Sequence, residues 1–206
     1  MSKFKWVLMA CVCFGICIFI LLHYFQNIAN EMKIENEIRK IISDVEDIDE
    51  KTTEIESKRR VNSLNNYEPY KVTTNKEIDG ILRIKAIDLE LPVFTHMNES
   101  DLKISCSRVP NTPPPGEGNY CVMGHTTPRH GVIFNRLYEL KHGDEILMHI
   151  NGGEVLEYIV TEKFITKGLD VQIFEQEDNK QMITLLCCSE SVKNGRLVIK
   201  GKMTKE

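Results

Sequence analysis

Gly80-Ile81-Leu82-Arg83-Ile84-Lys85-Ala86-Ile87-Asp88-Leu89-Glu90-Leu91-Pro92-Val93-Phe94 is the stretch on which the fold turns. Apolar and polar residues alternate from Ile81 to Ile87 and, after one aspartate, the apolar texture resumes from Leu89 to Phe94. A period of two marks a strand with one face turned inward, so two consecutive strands are expected here. Toward the C-terminus, further strands are expected at Tyr120–Met123, Glu145–Ile150, Val155–Phe164, Met182–Cys188 and Arg196–Met203. Turn-forming residues separate them: Pro110 to Gly118, His142-Gly143-Asp144, Asn151-Gly152-Gly153 and Lys193-Asn194-Gly195. Asn151-Gly152 between two strand-like runs marks a hairpin, because both residues tolerate the left-handed backbone of a tight turn. Short helical turns are expected around Asn98 to Ile104 and Val132 to Leu140. This succession of short strands argues against a βαβ sheet and predicts an all-β domain, closed or nearly closed into a barrel.

Toward the N-terminus the texture differs. Trp6 to Leu22 carries no charge, Lys3 and Lys5 precede it, and His23, Tyr24 and Phe25 prolong it. At about 1.5 Å rise per residue, such a helix crosses a hydrocarbon core of roughly 30 Å. A cleaved signal peptide is the alternative, but the run is long for one and no convincing small-x-small cleavage site follows it. The lysines before the span and Glu31, Glu35 and Glu37 after it orient the N-terminus inside and the remainder outward. Residues 30 to 64 read as a charged helix, with Ile34, Ile38, Ile41, Val45, Ile48 and Ile55 recurring at helical spacing. That stripe fits a coiled-coil stalk or a single amphipathic helix lying on the domain or spacing it from the membrane. About three heptads is short for a coiled coil, which favours the single helix. Tyr67-Glu68-Pro69-Tyr70 ends it, since proline disfavours helix at the preceding residue. The expected organisation is 1–27 as a cytoplasmic stub and transmembrane signal-anchor, 28–75 as a juxtamembrane helical linker, and 76–206 as the barrel domain.

A chain of 206 residues, 42% hydrophobic and 27% charged, holds one ordinary domain plus attachments. A net charge of −4 without a dense basic patch argues against a nucleic-acid partner. Of the cysteines, Cys11, Cys13 and Cys17 lie in the apolar span, where a thiol behaves as a small apolar group. Cys106 and Cys121 fit either a disulfide or two buried thiols. Adjacent Cys187 and Cys188 would point to opposite faces of a strand, which disfavours a bond between them.

The chemistry concentrates at Thr184-Leu185-Leu186-Cys187-Cys188, with Arg196 on the next apolar run and Gly124-His125 far upstream. A buried structural thiol is the ordinary fate of a strand cysteine. Here, however, the thiol ends a strand, a polar loop follows from Ser189 to Gly195, and Arg196 can return beside it. A neighbouring cation lowers a thiol pKa and stabilises an anion. His125 ends another strand where it opens into a loop, the usual place for functional groups on a rigid scaffold. Thiolate nucleophile, imidazole proton carrier and guanidinium anion-holder together point to covalent acyl chemistry. His130 makes an H-x4-H spacing with His125, but a zinc site would also need ligands from a cysteine pair that diverges. No metal and no cofactor is expected.

From Gly80 to Ile84, through Pro115-Gly116-Glu117-Gly118-Asn119, Gly124-His125, Phe134-Asn135-Arg136-Leu137 and Lys141-His142-Gly143-Asp144, to Thr184–Cys188 and Arg196-Leu197-Val198-Ile199, the chain resembles the sortases. These are membrane-anchored cysteine transpeptidases of mainly Gram-positive bacteria, and the likeness covers about residues 78 to 203. The resemblance implies an eight-stranded sortase-type β-barrel with short helices, behind an N-terminal transmembrane helix and an amphipathic juxtamembrane helix. It implies Cys188 as nucleophile, at the last position of the family's T-L-x-T-C pattern, with His125 and Arg196 as its catalytic partners. Cys187 stands where the family usually has threonine, and Thr184 and Cys187 are the implied substrate-binding residues. The implied substrate is an LPxTG-type sorting signal of a surface protein precursor, received by a region including Thr161 to Phe174. The implied acceptor is the amine of a peptidoglycan precursor or another amine. Location at the cell membrane with the catalytic domain outside follows from the same likeness. The compact intervals between His125, Cys188 and Arg196 favour a housekeeping or class D-like member. A pilin-polymerising enzyme and an inactive binding domain of the same fold are the alternatives.

Overall fold

A computed structural model describes residues 2–56, 69–72, 76–126, 133–176 and 180–204. It divides into two compact units, Met1–Arg39 and Lys40–Glu206. A helix, α1, runs over Ser2–Glu56. In the first unit Phe14, Phe19, Leu22 and Phe25 are all more than half exposed, and among the described residues no stripe of α1 there is buried. A helix apolar on every side has the character of one that faces lipid, and α1 is apolar and long enough to cross a membrane.

Among its described residues the second unit holds nine strands: β1 (Tyr70–Lys71), β2 (Glu77–Ile84), β3 (Leu89–Phe94), β4 (Cys106–Arg108), β5 (Asn119–Gly124), β6 (Glu145–Ile150), β7 (Val155–Lys167), β8 (Met182–Cys188) and β9 (Gly195–Met203). A one-turn helix, α2 (Glu99–Leu102), stands between β3 and β4, capped by the Asn98 side chain on the Asp101 N–H. The hydrogen-bonded order is β1-β2-β3-β4-β5-β8-β9-β7-β6, and β6 returns to pair with β2. Strands β2 to β9 therefore close into an eight-stranded barrel, with β1 as a short extra rung on β2. Closure needs Gly80: a Cβ there would lie 2.0 Å from the His149 carbonyl oxygen of β6.

Two local expectations change. Lys85–Ile87, expected as the end of a strand, is a 3-10 turn, because Asp88 adopts a left-handed conformation at φ 51 and folds the chain back into β3. The three-residue β4 was not anticipated, being too short to show a period. The part of the expected 30–64 helix beyond Glu56, and Tyr67-Glu68, lie outside the described residues.

The isoleucine stripe explains why α1 meets the barrel within the second unit. Ile41 and Val45 are fully buried with Val72, Ile78, Ile81 and Phe94, and Ile48 packs at the edge. Burying each such side chain stabilises by about 1.5–3 kcal/mol. Glu46 adds an ion pair with Arg83, at 3.3 Å. Arg83 also approaches the His149 ring, at 3.4 Å. Burial first, then the Arg83 cation, lowers the His149 pKa from its ordinary 6.5, against opposing pulls from Asp49 and Glu90. The unfolded chain thus takes up a proton near its ordinary pKa that the folded chain refuses. Stability is complete above that pH and falls as pH drops below it. The thermal midpoint should decline between neutral pH and pH 5, and His149→Gln should flatten the decline; an identical slope in the variant would refute the assignment.

Candidate active site

Strand register aligns the chemistry. Met123 of β5 pairs with Leu186 of β8, Leu186 with Val198 of β9, and Val198 with Phe164 of β7. Side chains in register share a face, and this row is covered by Ile173 and Phe174 of the 3-10 turn Val171–Phe174. Two residues further along each strand comes the next row. Cys188 is the Cα partner of Arg196, and Arg196 that of Thr166. Continuing the parallel β5–β8 register by two residues brings His125 level with Cys188. The contact of the Thr126 hydroxyl with the Cys188 carbonyl, at 3.4 Å, fits that placement. At the usual inter-strand spacing of about 4.8 Å, His125 and Arg196 flank Cys188 on its two sides. In this row Cys188 is exposed, whereas Leu186 in the row before it is buried.

The β8–β9 connection is what holds thiol and guanidinium opposite each other. Ser189 N–H donates to the Gly195 carbonyl at 3.0 Å, and Gly195 N–H to the Val192 carbonyl at 2.8 Å. Asn194 supplies the left-handed residue, φ 60, that the reversal needs. Arg196 rests with Nη1 on the Gly195 carbonyl at 3.1 Å and has no carboxylate partner among the described residues. Its charge is thus available to an incoming anion. No hydrogen bond among the described residues joins Cys188 Sγ to His125 or Arg196.

The two adjacent thiols have opposite surroundings. Cys188 is exposed. Cys187 is 1% exposed, with Sγ directed at the Phe134 carbonyl at 3.9 Å. Burial pushes its pKa up to about 12, with smaller increments from Cys188 and Glu190 and a small opposing pull from Arg196. Such a thiol stays protonated and inert. Thr184 is wholly buried and donates to Asn119 Oδ1 at 2.7 Å. Neither of the two residues expected to bind substrate presents its side chain to solvent. Cys106 and Cys121 are buried free thiols.

Asn119, whose role is not legible in the sequence, fastens the segment after β7 to the barrel. Its amide donates to the Ile173 and Glu175 carbonyls at 2.9 and 3.2 Å. Its N–H donates to Gln176 Oε1 at 2.6 Å. The preceding Gly118, φ 46, permits that approach, since a Cβ would lie 2.2 Å from the same oxygen. The segment so held presents Leu169 and Val171 to solvent, and Ile165 near the end of β7 is also exposed. A cleft of about 260 Å³ also opens at the Cys188 rim, between Phe134, Tyr138, Ile165, Leu197 and Glu190.

A sortase domain model matches residues 82–204. Sortase A of Bacillus anthracis is 29% identical over 128 residues, 62% of this chain and 60% of that protein. The putative sortase YwpE of Bacillus subtilis (strain 168) is 38% identical over 89 residues, 43% of this chain and 85% of that protein. The match to the Bacillus anthracis relative thus spans less than two thirds of that relative's length. The structure of Clostridium perfringens sortase C with the C-terminal cell wall sorting motif aligns with a TM-score of 0.58. At 20% identity, over 86% of this chain and 97% of that one, this likeness bears on the fold alone.

Proposed function

The chain belongs to the sortase family, and from that premise we propose that it is a membrane-anchored cysteine transpeptidase acting on an LPxTG-type sorting signal. The observation that carries the reading is the Cys188–Arg196 register pair, with an exposed thiol and His125 level on its other side. Cys188 thiolate attacks the Thr–Gly carbonyl and the C–N bond breaks. His125, as imidazolium, delivers its proton to the departing amine. Arg196 hydrogen-bonds the developing oxyanion or the substrate carbonyls beside it. An amine then attacks the thioester, His125 takes up its proton, and sulfur departs as thiolate, which restores the starting state. Surface protein precursors are the donors, and a peptidoglycan precursor amine is the acceptor, giving attachment to the cell wall.

In this reading α1 spans the cell membrane once, with Lys3 and Lys5 inside and the barrel outside. Residues 1–27 are the anchor, 28–75 the linker and 76–206 the catalytic domain. Thr184 and Cys187 support the strand from within, and the sorting signal lies instead along residues 166–171. The enzyme is a compact housekeeping or class D-like member.

The test uses the full-length chain in detergent micelles with an LPxTG-type peptide, followed by mass spectrometry for a peptide thioester. His125→Ala and Arg196→Ala should keep the native circular dichroism spectrum and lose roughly 10²-fold or more in turnover. Turnover within a factor of two of the native chain in either variant would remove that residue from the mechanism.

A further inference from the structure

Two substrates must reach one sulfur, and the rim around Cys188 offers two approaches. The His125–Cys188–Arg196–Thr166 row occupies one face of the strands. Ile165 and Leu197, which are Cα partners on β7 and β9, lie on the opposite face. They wall the cleft that Cys188 also lines, together with Phe134, Tyr138 and Glu190. Tyr138 and Ile165 are 51% and 44% exposed, so this cleft keeps apolar surface open to solvent. Glu190 supplies its charge, and the residue has no ion pair or hydrogen-bonding partner among the described residues.

We infer that this cleft docks the amine acceptor, and that it takes a primary alkylammonium group on an aliphatic arm with the Glu190 carboxylate as counter-charge. The inference rests on the acyl-transfer reading above and names the substrate of its second half. Apolar walls suit the methylene arm, the carboxylate suits the cationic head, and Cys188 lines the same cleft from the strand end, so the head is brought to the residue it must react with. The chemistry balances. The ammonium gives one proton to the Glu190 carboxylate. His125, left neutral by the first half-reaction, takes a second as the N–C bond forms. The C–S bond breaks and sulfur leaves as thiolate. A carboxylate beside a thiolate is otherwise unfavourable, since like charge opposes the anion; an incoming cation relieves that conflict only while acceptor is bound.

The test acylates the full-length chain in detergent micelles with an LPxTG-type peptide. The thioester is then captured either by n-pentylamine, protonated at neutral pH, or by hydroxylamine, which is uncharged there. Pentylamine capture should saturate in the native chain. In E190Q the ratio of pentylamine to hydroxylamine capture efficiency should fall about fivefold, the upper end for a solvent-exposed ion pair. Glu190→Asp should restore most of the ratio. An unchanged ratio in E190Q, or pentylamine capture that never saturates, would overturn the docking site while leaving acyl transfer intact. Absence of any Cys188-bound peptide in the native chain would overturn both.

Discussion

Cys188→Ala is expected to abolish the peptide thioester and lower turnover by on the order of 10⁴-fold or more, as loss of a covalent nucleophile does. Cys187→Ala is expected to keep both. The neighbours differ by one position in sequence but by a full reversal of direction in β8, and the structure gives each a different solvent. Cys187 loses hydration inside the barrel, and its pKa of about 12 leaves a negligible thiolate fraction at neutral pH. Cys188 meets water at the strand end and stands opposite Arg196. Removing the Cys187 sulfur leaves a small buried void, so a stability loss of about 1 kcal/mol should accompany unaltered chemistry. Intact-mass spectrometry of each variant after peptide addition separates the two. A thioester that survives in Cys188→Ala, or vanishes in a folded Cys187→Ala, would reassign the nucleophile.

Why could the sequence not decide between these thiols by pattern? Alternation tells which residues face inward only when the other face is wet. Six of the seven residues of β8, Met182 to Cys187, are buried, because the Val171–Phe174 turn covers the outer face. A strand covered on both sides reads as a continuous apolar run, and its phase is lost. The hairpin partnership of Cys188 with Arg196 was legible, since a short polar loop with Asn-Gly forces neighbouring strands to meet. The level placement of His125 depends on a parallel pairing between distant segments, which no local pattern announces. Asn119 and Glu190 were missed for a related reason. An asparagine opening a strand and a glutamate in a polar loop are ordinary surface residues until the fold supplies their neighbours. The barrel itself was readable from the spacing of strands and turns, whereas β4 and the turn at Lys85–Ile87 depend on contacts and one left-handed residue.

Asp79→Ala is expected to cost about 3–5 kcal/mol of stability, the usual result of removing one member of a buried ion pair. Asp79 is fully buried at a β-bulge in β2, where the register shifts between Ile78 and Gly80. A bulge re-aims a side chain. Oδ1 accepts from the Thr95 hydroxyl at 2.8 Å and Oδ2 from the Tyr120 hydroxyl at 2.9 Å. Arg108 Nε lies 3.4 Å from Oδ2. These partners stand on or beside β3, β4 and β5, so one carboxylate ties four neighbouring strands. Alanine would take a buried carboxylate away from the Arg108 guanidinium, itself only 17% exposed. The Tyr120 hydroxyl would lose the Asp79 oxygen as an acceptor in the same variant. Urea unfolding of the full-length chain in micelles, followed by tryptophan-independent circular dichroism, measures the loss. A second variant separates the ion pair from simple packing. Asp79→Leu combined with Arg108→Met removes both charges and should recover much of the deficit, as paired apolar replacement of buried ions commonly does. A loss below about 1 kcal/mol in Asp79→Ala, the range of an exposed pair, would show that water reaches this carboxylate. The coupling of β2 to β5, and with it the level at which β5 presents His125, would then have to come from strand pairing and apolar packing alone.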